Sequence, residues 1–348
     1  MEDETIKSIF DLVEIIADPK IKALTYARIG LELYRIEDSR YLEAFRKSLE
    51  GAEAIEDLNE LVDLLINVGV YIGGANKNSA ARVFARVVEL LEGASAQSRD
   101  RNLEKMIKSM LRLGILKPVL SYALLIDDSR IRNETLLSIL KAYLSAGILK
   151  DAIQISKELL DEPWSSKAKS EILKFHIKRE EIENALEIFN TIEGDREKLI
   201  MEIAEDLMKF PEYLSKFLDA LREEELKAVS RELLSLLIES PRGEYADLVE
   251  RIAEKVSDEN VQVKVVAFFN RIGRREKAIE QASKIKDDYL ASLAFGEIAM
   301  GYLRQGDLDK AIDAVMNVKD PKWNSRLLGE ILVKILRLAI EEALEEQH

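Results

Sequence analysis

The chain has 348 residues, 47% of them apolar, enough for a large core or for a long array that shares one. A formal charge of −14 argues against a duplex-DNA binder, which is usually basic. With no cysteine there is no disulfide framework and no thiolate zinc site, and sparse glycine and proline (15 and 6) disfavour a loop-rich or all-β fold.

The N-terminus lacks a basic start followed by an apolar run, so no signal peptide is expected. The apolar run Leu64–Ile72 is too short to span a membrane, and Lys334 and Arg337 interrupt the run Ile331–Ile340. The expectation is a soluble, cytoplasmic protein without a membrane partner. A Glu- and Lys-rich chain without cysteine leans towards a thermophile source.

Apolar residues recur at three and four along nearly the whole chain, which predicts helix after helix with short breaks. An opening helix covers about 5–17 and ends at Asp18-Pro19, where Asp can cap the next helix and Pro is tolerated in its first turn. That helix runs from Pro19 to about Arg35, with Tyr26, Ile29, Gly30 and Leu33 on one face, and its partner covers roughly 40–54. The next pair spans about 57–72 and 79–91. The stretch Gly73–Lys77 between them reads as a plain turn; it has no Gly-Lys-Ser/Thr ending and no preceding strand, as a phosphate loop would.

From Arg99 onward a period emerges. The tetrapeptide Gly-Ile-Leu-Lys occurs at Gly114–Lys117 and again at Gly147–Lys150, 33 residues later. Small or apolar residues keep the same step at Val119, Ala152 and Ala185, and again at Ala278 and Ala311. Nine residues after Val119, Ala152, Val249, Ala278 and Ala311 comes an Asp, at Asp128, Asp161, Asp258, Asp287 and Asp320. This is the length of one helix–turn–helix unit that stacks on copies of itself. The small residue lets two helices approach, the Asp caps the next first helix, and Gly114, Gly147, Gly273 and Gly306 supply left-handed turns before each second helix. Between Glu187 and Glu250 the pattern is degenerate, with breaks near Gly194-Asp195, Phe210-Pro211 and Pro241–Gly243. A last helix over about 324–346 carries Leu328, Leu332, Ile335, Leu336, Ala339, Ile340 and Ala343; it reads as a cap on the open end of the array or, more sharply, as a homodimer contact.

These residues resemble tetratricopeptide repeats, a family of helix pairs about 34 residues long with small and aromatic residues at set positions. Phe295, Ile298, Ala299 and Tyr302 followed by Gly306 and Ala311 carry the likeness, as do Leu136, Ile139, Tyr143, Gly147 and Ala152. The second helices look short and Asp or Asp-Pro stands where the family has its late Pro, so the chain is tetratricopeptide-like. The resemblance implies one all-α domain over 1–348. It further implies an α-solenoid of about eight or nine stacked antiparallel helix pairs forming a right-handed superhelix, with first helices lining a concave groove.

Little in the chain suggests catalysis. One internal histidine, His176, and the terminal His348 cannot make a His-rich metal site, so neither metal nor cofactor is expected. Acidic runs at Glu223–Glu225 and Glu341–Glu346 read as solvated faces. Trp164 and Trp323, after Pro163 and Pro321, read as plugs of inter-repeat joints, with ligand stacking as the alternative. The sharp feature is electrostatic: residues 101–150 hold nine basic and four acidic side chains in an acidic protein. Arg101, Lys105, Lys108 and Arg112 form one stripe of one helix, Lys108, Lys141 and Lys174 repeat at 33 residues, and Lys178 extends that ladder. Arg271, Arg274 and Arg275 make a smaller cluster. The expected function is a non-enzymatic scaffold that binds an acidic protein or peptide segment at this strip; RNA or DNA binding and, further off, an enzyme within the array are the alternatives.

Overall fold

The computed structural model describes residues 3–345, with the side chains of 3, 338, 339 and 341–345 outside that description. Regular structure among the described residues is helical. The chain divides into two compact units, Met1–Ile172 and Leu173–His348.

The first unit holds α1 (Asp3–Glu14), α2 (Pro19–Arg35), α3 (Tyr41–Ala52), α4 (Leu58–Ala75), α5 (Lys77–Leu91), α6 (Ala96–Arg112), α7 (Val119–Ala123), α8 (Ser129–Ser145) and α9 (Leu149–Ser156). Helices α2/α3, α4/α5, α6/α7 and α8/α9 pair as hairpins, and the first helices α2, α4, α6 and α8 pack on one another in that order. Helix α10 (Trp164–Lys178) follows. The second unit holds α11 (Ile182–Phe189), α12 (Arg196–Leu207), α13 (Pro211–Asp219), α14 (Glu223–Glu239), α15 (Ala246–Lys255), α16 (Glu259–Arg271), α17 (Arg275–Ala282), α18 (Asp288–Gln305), α19 (Leu308–Val315) and α20 (Pro321–Glu345). Here α12, α14, α16, α18 and α20 stack in succession, and α11, α13 and α15 form a second row. This is an all-α solenoid of stacked helix pairs, and the region of degenerate pattern keeps the same plan.

The repeat positions do the expected work. Val119, Ala152, Ala185, Ala278 and Ala311 are fully buried, so a larger side chain there would push two helices apart. Asp18, Asp128, Asp258, Asp287 and Asp320 each accept the backbone N–H three residues on, at 2.8–3.1 Å, an interaction worth about 1 kcal/mol. Asp161 differs, because α10 begins three residues later at Trp164.

A second device joins consecutive repeats. Asp100, near the start of α6 and 3% exposed, accepts the backbone N–H groups of Asp127 (3.2 Å) and Asp128 (2.8 Å). Glu259 does the same for Lys286 and Asp287, and the Ser292 hydroxyl for Lys319 and Asp320, at 2.9–3.0 Å. At Asp100 and Ser292, where these bonds are part-buried, loss of the acceptor would leave the linker's N–H groups short of a partner, a cost of up to about 1–3 kcal/mol each.

Helix α4 departs from expectation, since it runs through Gly73 and Gly74 to Ala75. The reason is packing. A Cβ on Gly69 would lie 2.7 Å from Phe84 and one on Gly73 2.4 Å from Leu113, so the glycines admit α5 and α6 at close range rather than making a turn. The turn is a single residue, Asn76, whose side chain caps α5 through the Ser79 N–H at 2.9 Å. At 18 residues α4 is long and apolar enough to cross a membrane by composition alone, yet its Val62, Leu64, Ile66 and Val68 are buried among neighbouring helices. In α20, Leu332, Leu336 and Ile340 are exposed, while Leu328 and Ile335 pack on the core of their unit. The side chains of Ala339 and of the run Glu341–Glu346, Ala343 among them, and His348 lie outside that description.

Gly114, Gly147, Gly273 and Gly306 have φ of 70–81°, and the residue after each donates its N–H to a carbonyl five residues back. Glu180 occupies the same place in the repeat after Gly147, with φ 61° and the same bond, Glu181 N to His176 O at 3.0 Å. A side chain is strained there. Glu180→Gly is expected to raise stability by about 0.5–1 kcal/mol and Gly147→Ala to lower it by about 1 kcal/mol, both read from denaturant midpoints.

Asp258 is also placed to set acid sensitivity. Its carboxylate caps α16 and accepts from Lys227 (3.1 Å) and Arg231 (2.6 Å) of α14. Burial raises its pKa, but these donors outweigh it and bring the group from 3.8 down to about 2. A folded pKa below the unfolded one gives stability that is present above pH 4 and lost as pH falls towards 2. Asp258→Asn is expected to lower stability at neutral pH and to flatten this acid limb in a pH series of thermal melts; an unchanged slope between pH 4 and 2 would count against this assignment.

Candidate functional site

The basic strip lies on first helices. Arg101, Lys105, Lys108 and Arg112 stand on α6, Lys141 on α8, and Lys174 and Lys178 on α10. Steps of four, three and four put the α6 residues on one face, opposite the buried Leu103, Met106, Ile107 and Met110. All of them are exposed except Lys174, which is half-buried. In the first unit α6 packs beside α8, which brings Lys108 and Lys141 to the same register on neighbouring helices. Lys174 and Lys178 belong to the second unit.

The strip's lysines carry their own counter-ions. Lys105 bonds Asp63 of α4, which also pairs with Lys20 of α2 at 3.4 Å. Burial works against the Asp63 carboxylate, but Lys105 and Lys20 hold its pKa below the usual value. Lys108 pairs with Glu104 one turn back at 2.5 Å, Lys141 with Glu171 of α10 at 3.3 Å, and Lys174 with Glu202 of α12 at 2.5 Å. Arg101, Arg112 and Lys178 have no ion pair among the described residues. Exposed pairs of this kind contribute about 0–1 kcal/mol, so a competing carboxylate can replace the resident one at little cost.

The acidic partners Asp63, Glu171 and Glu202 were not legible in the sequence. They stand 42, 30 and 28 residues from their lysines and share no offset, because each depends on the angle between neighbouring helices.

The smaller basic cluster disperses. Arg275 donates to Gln305 (2.5 Å) and the Gly301 carbonyl (3.2 Å) and stacks on Tyr302, so it joins α17 to α18. Arg271 reaches the Ile238 carbonyl at 3.4 Å, and Arg274 stays exposed. His176 is 6% exposed with Nδ1 2.6 Å from Glu181, whose carboxyl is held below its usual range by that bond and by Arg179. Trp164 and Trp323 are half-buried in the first turns of α10 and α20, each with a cation over its ring, Lys167 and Arg326. A cleft of about 780 Å³ between α13 and α15 has Phe210 and Tyr213 on its wall and an exposed charged rim of Glu212, Lys216 and Asp247.

No known protein family and no curated protein matches the chain. It is similar to the crystal structure of Ton1535 from Thermococcus onnurineus NA1, at 16% identity over 95% of this chain and 86% of that one, with a TM-score of 0.31. It is also similar to a structure of Naa15/Naa10 bound to HypK-THB (16% identity, TM-score 0.30), covering 91% of this chain and 62% of that one. A third likeness is to a circular tandem repeat protein with novel repeat topology, at 14% identity over 95% and 74% of the two chains and a TM-score of 0.16.

Proposed function

We propose that this chain is a non-catalytic, tetratricopeptide-like scaffold whose first-helix strip holds an acidic segment of a protein partner. The observation that supports this reading is the matched placement of Lys108 and Lys141 on the packed helices α6 and α8, flanked by the unpaired Arg101 and Arg112. Arginine and lysine at helical spacing match carboxylates along an extended or helical peptide. The partner's carboxylates would exchange with Glu104 and Glu171, so affinity would come from many weak contacts and fall steeply with salt. The interleaved Glu104, Glu134 and Glu171 disfavour the continuous phosphate backbone of a nucleic acid. In this reading the protein works in a reducing cytoplasm without cofactor.

The test is binding of a short fluorescein-labelled Glu-rich peptide, followed by anisotropy. The variant Lys108→Glu, Lys141→Glu is expected to keep its helical circular dichroism and thermal midpoint. Its affinity should drop by at least about tenfold, or 1.4 kcal/mol. Equal affinity of wild type and variant would reduce the strip to solvated surface.

A further inference from the structure

A second feature of the first unit lies on the other row of helices. A groove of about 470 Å³ runs between α3 and α5 and is floored by Leu65 and Ile72 of α4. Its volume falls in the range of about 300–1,000 Å³ typical of ligand sites. The two walls differ in chemistry. The α3 wall presents Leu42, Phe45, Arg46 and Leu49, at steps of three, four and seven from Leu42. Leu42 is 62% exposed, whereas Phe45 in the same stripe is buried and Leu49 half-buried. On the α5 wall Ser79, Arg82, Val83 and Arg86 occupy the same steps. One wall is therefore mainly apolar, and the other carries two guanidinium groups.

Charge is the feature that selects an occupant. No carboxylate is among the residues that line the groove, although the protein carries −14. Arg46 and Arg86 pair along their own helices with Glu50 (2.6 Å) and Glu89 (3.0 Å), in exposed pairs of small worth. Arg82 is exposed and has no hydrogen bond or ion pair among the described residues. Three guanidinium groups along an apolar trough match a helix that has leucine-like residues on one stripe and carboxylates on the next.

We propose that the groove between α3 and α5 is a docking site for an acidic amphipathic helix of a protein partner. The apolar stripe of that helix seats on Leu42 and Leu49, over the buried Phe45, and its carboxylates meet Arg82, Arg86 and Arg46. The site uses second helices and shares no residue with the first-helix strip, so neither stands on the other.

Selection of a phage-displayed library of helix-forming peptides on the full chain tests this. Selected peptides are expected to share Leu, Ile or Phe at a three–four spacing beside Asp or Glu. The variant Arg82→Glu, Arg86→Glu is expected to weaken them at least about tenfold, and so is Leu42→Ser, whereas Lys108→Glu, Lys141→Glu should leave them unchanged. These side chains are solvent-exposed, so the thermal midpoint should hold; Arg82→Gln, Arg86→Gln serves as a neutral version with a smaller loss. Selected peptides without an excess of acidic residues, equal binding by the Arg82→Glu, Arg86→Glu variant, or loss of binding only when the first-helix strip is reversed would each overturn the proposal.

Discussion

Each helix pair in this protein must hand its orientation to the next, and a forward hydrogen bond from the start of one first helix to the linker before the following one does so in three repeats. Asp100, Glu259 and Ser292 each reach across to two consecutive backbone N–H groups that no helix could satisfy. The bond is short-range and directional, and at Asp100 and Ser292 partly removed from water, so it restricts rotation between neighbours in a way that apolar packing does not. The capping Asp of the next helix sits at the end of this clamp at Asp128, Asp287 and Asp320, which couples the start of a helix to the seat of its neighbour. Left-handed glycines close the other end of α6, α8, α16 and α18.

Surface charge is layered on that frame. Lys105, Lys141 and Lys174 bridge from one first helix to the next through Asp63, Glu171 and Glu202, so the same residues that give the strip its sign also link repeats. Such pairs are weak individually and exchangeable. A surface of this kind suits contacts that form and break, in contrast to a buried ion pair, which resists loss of either partner. The second-helix row differs, because between α3 and α5 Arg46 and Arg86 pair only along their own helices, beside an apolar floor.

Physical reasons separate what could be read from what could not. The 33-residue period, the capping Asp residues, the buried alanines and the glycine turns are local or strictly periodic, and each has a fixed chemical requirement at a fixed place. Glu180 was harder to see, because it keeps the backbone role of glycine without its identity. Gly73 and Gly74 were misleading for the opposite reason. Two adjacent glycines usually break a helix, but here Leu113 approaches Gly73 and Leu31 approaches Gly74 so closely that a side chain at either place would displace a neighbour.

Sequence alone therefore determined the all-α class, the repeat length, the positions that cap and turn, and the faces on which basic side chains gather. Tertiary structure decided which charges meet. Lys105 finds Asp63 at 42 residues and Lys174 finds Glu202 at 28, distances set by helix crossing and not by any period. It likewise decided that Leu42 and Arg82, 40 residues apart, face one groove. A helical period specifies the face on which a side chain lies, whereas the neighbour it meets depends on how two separate helices are packed.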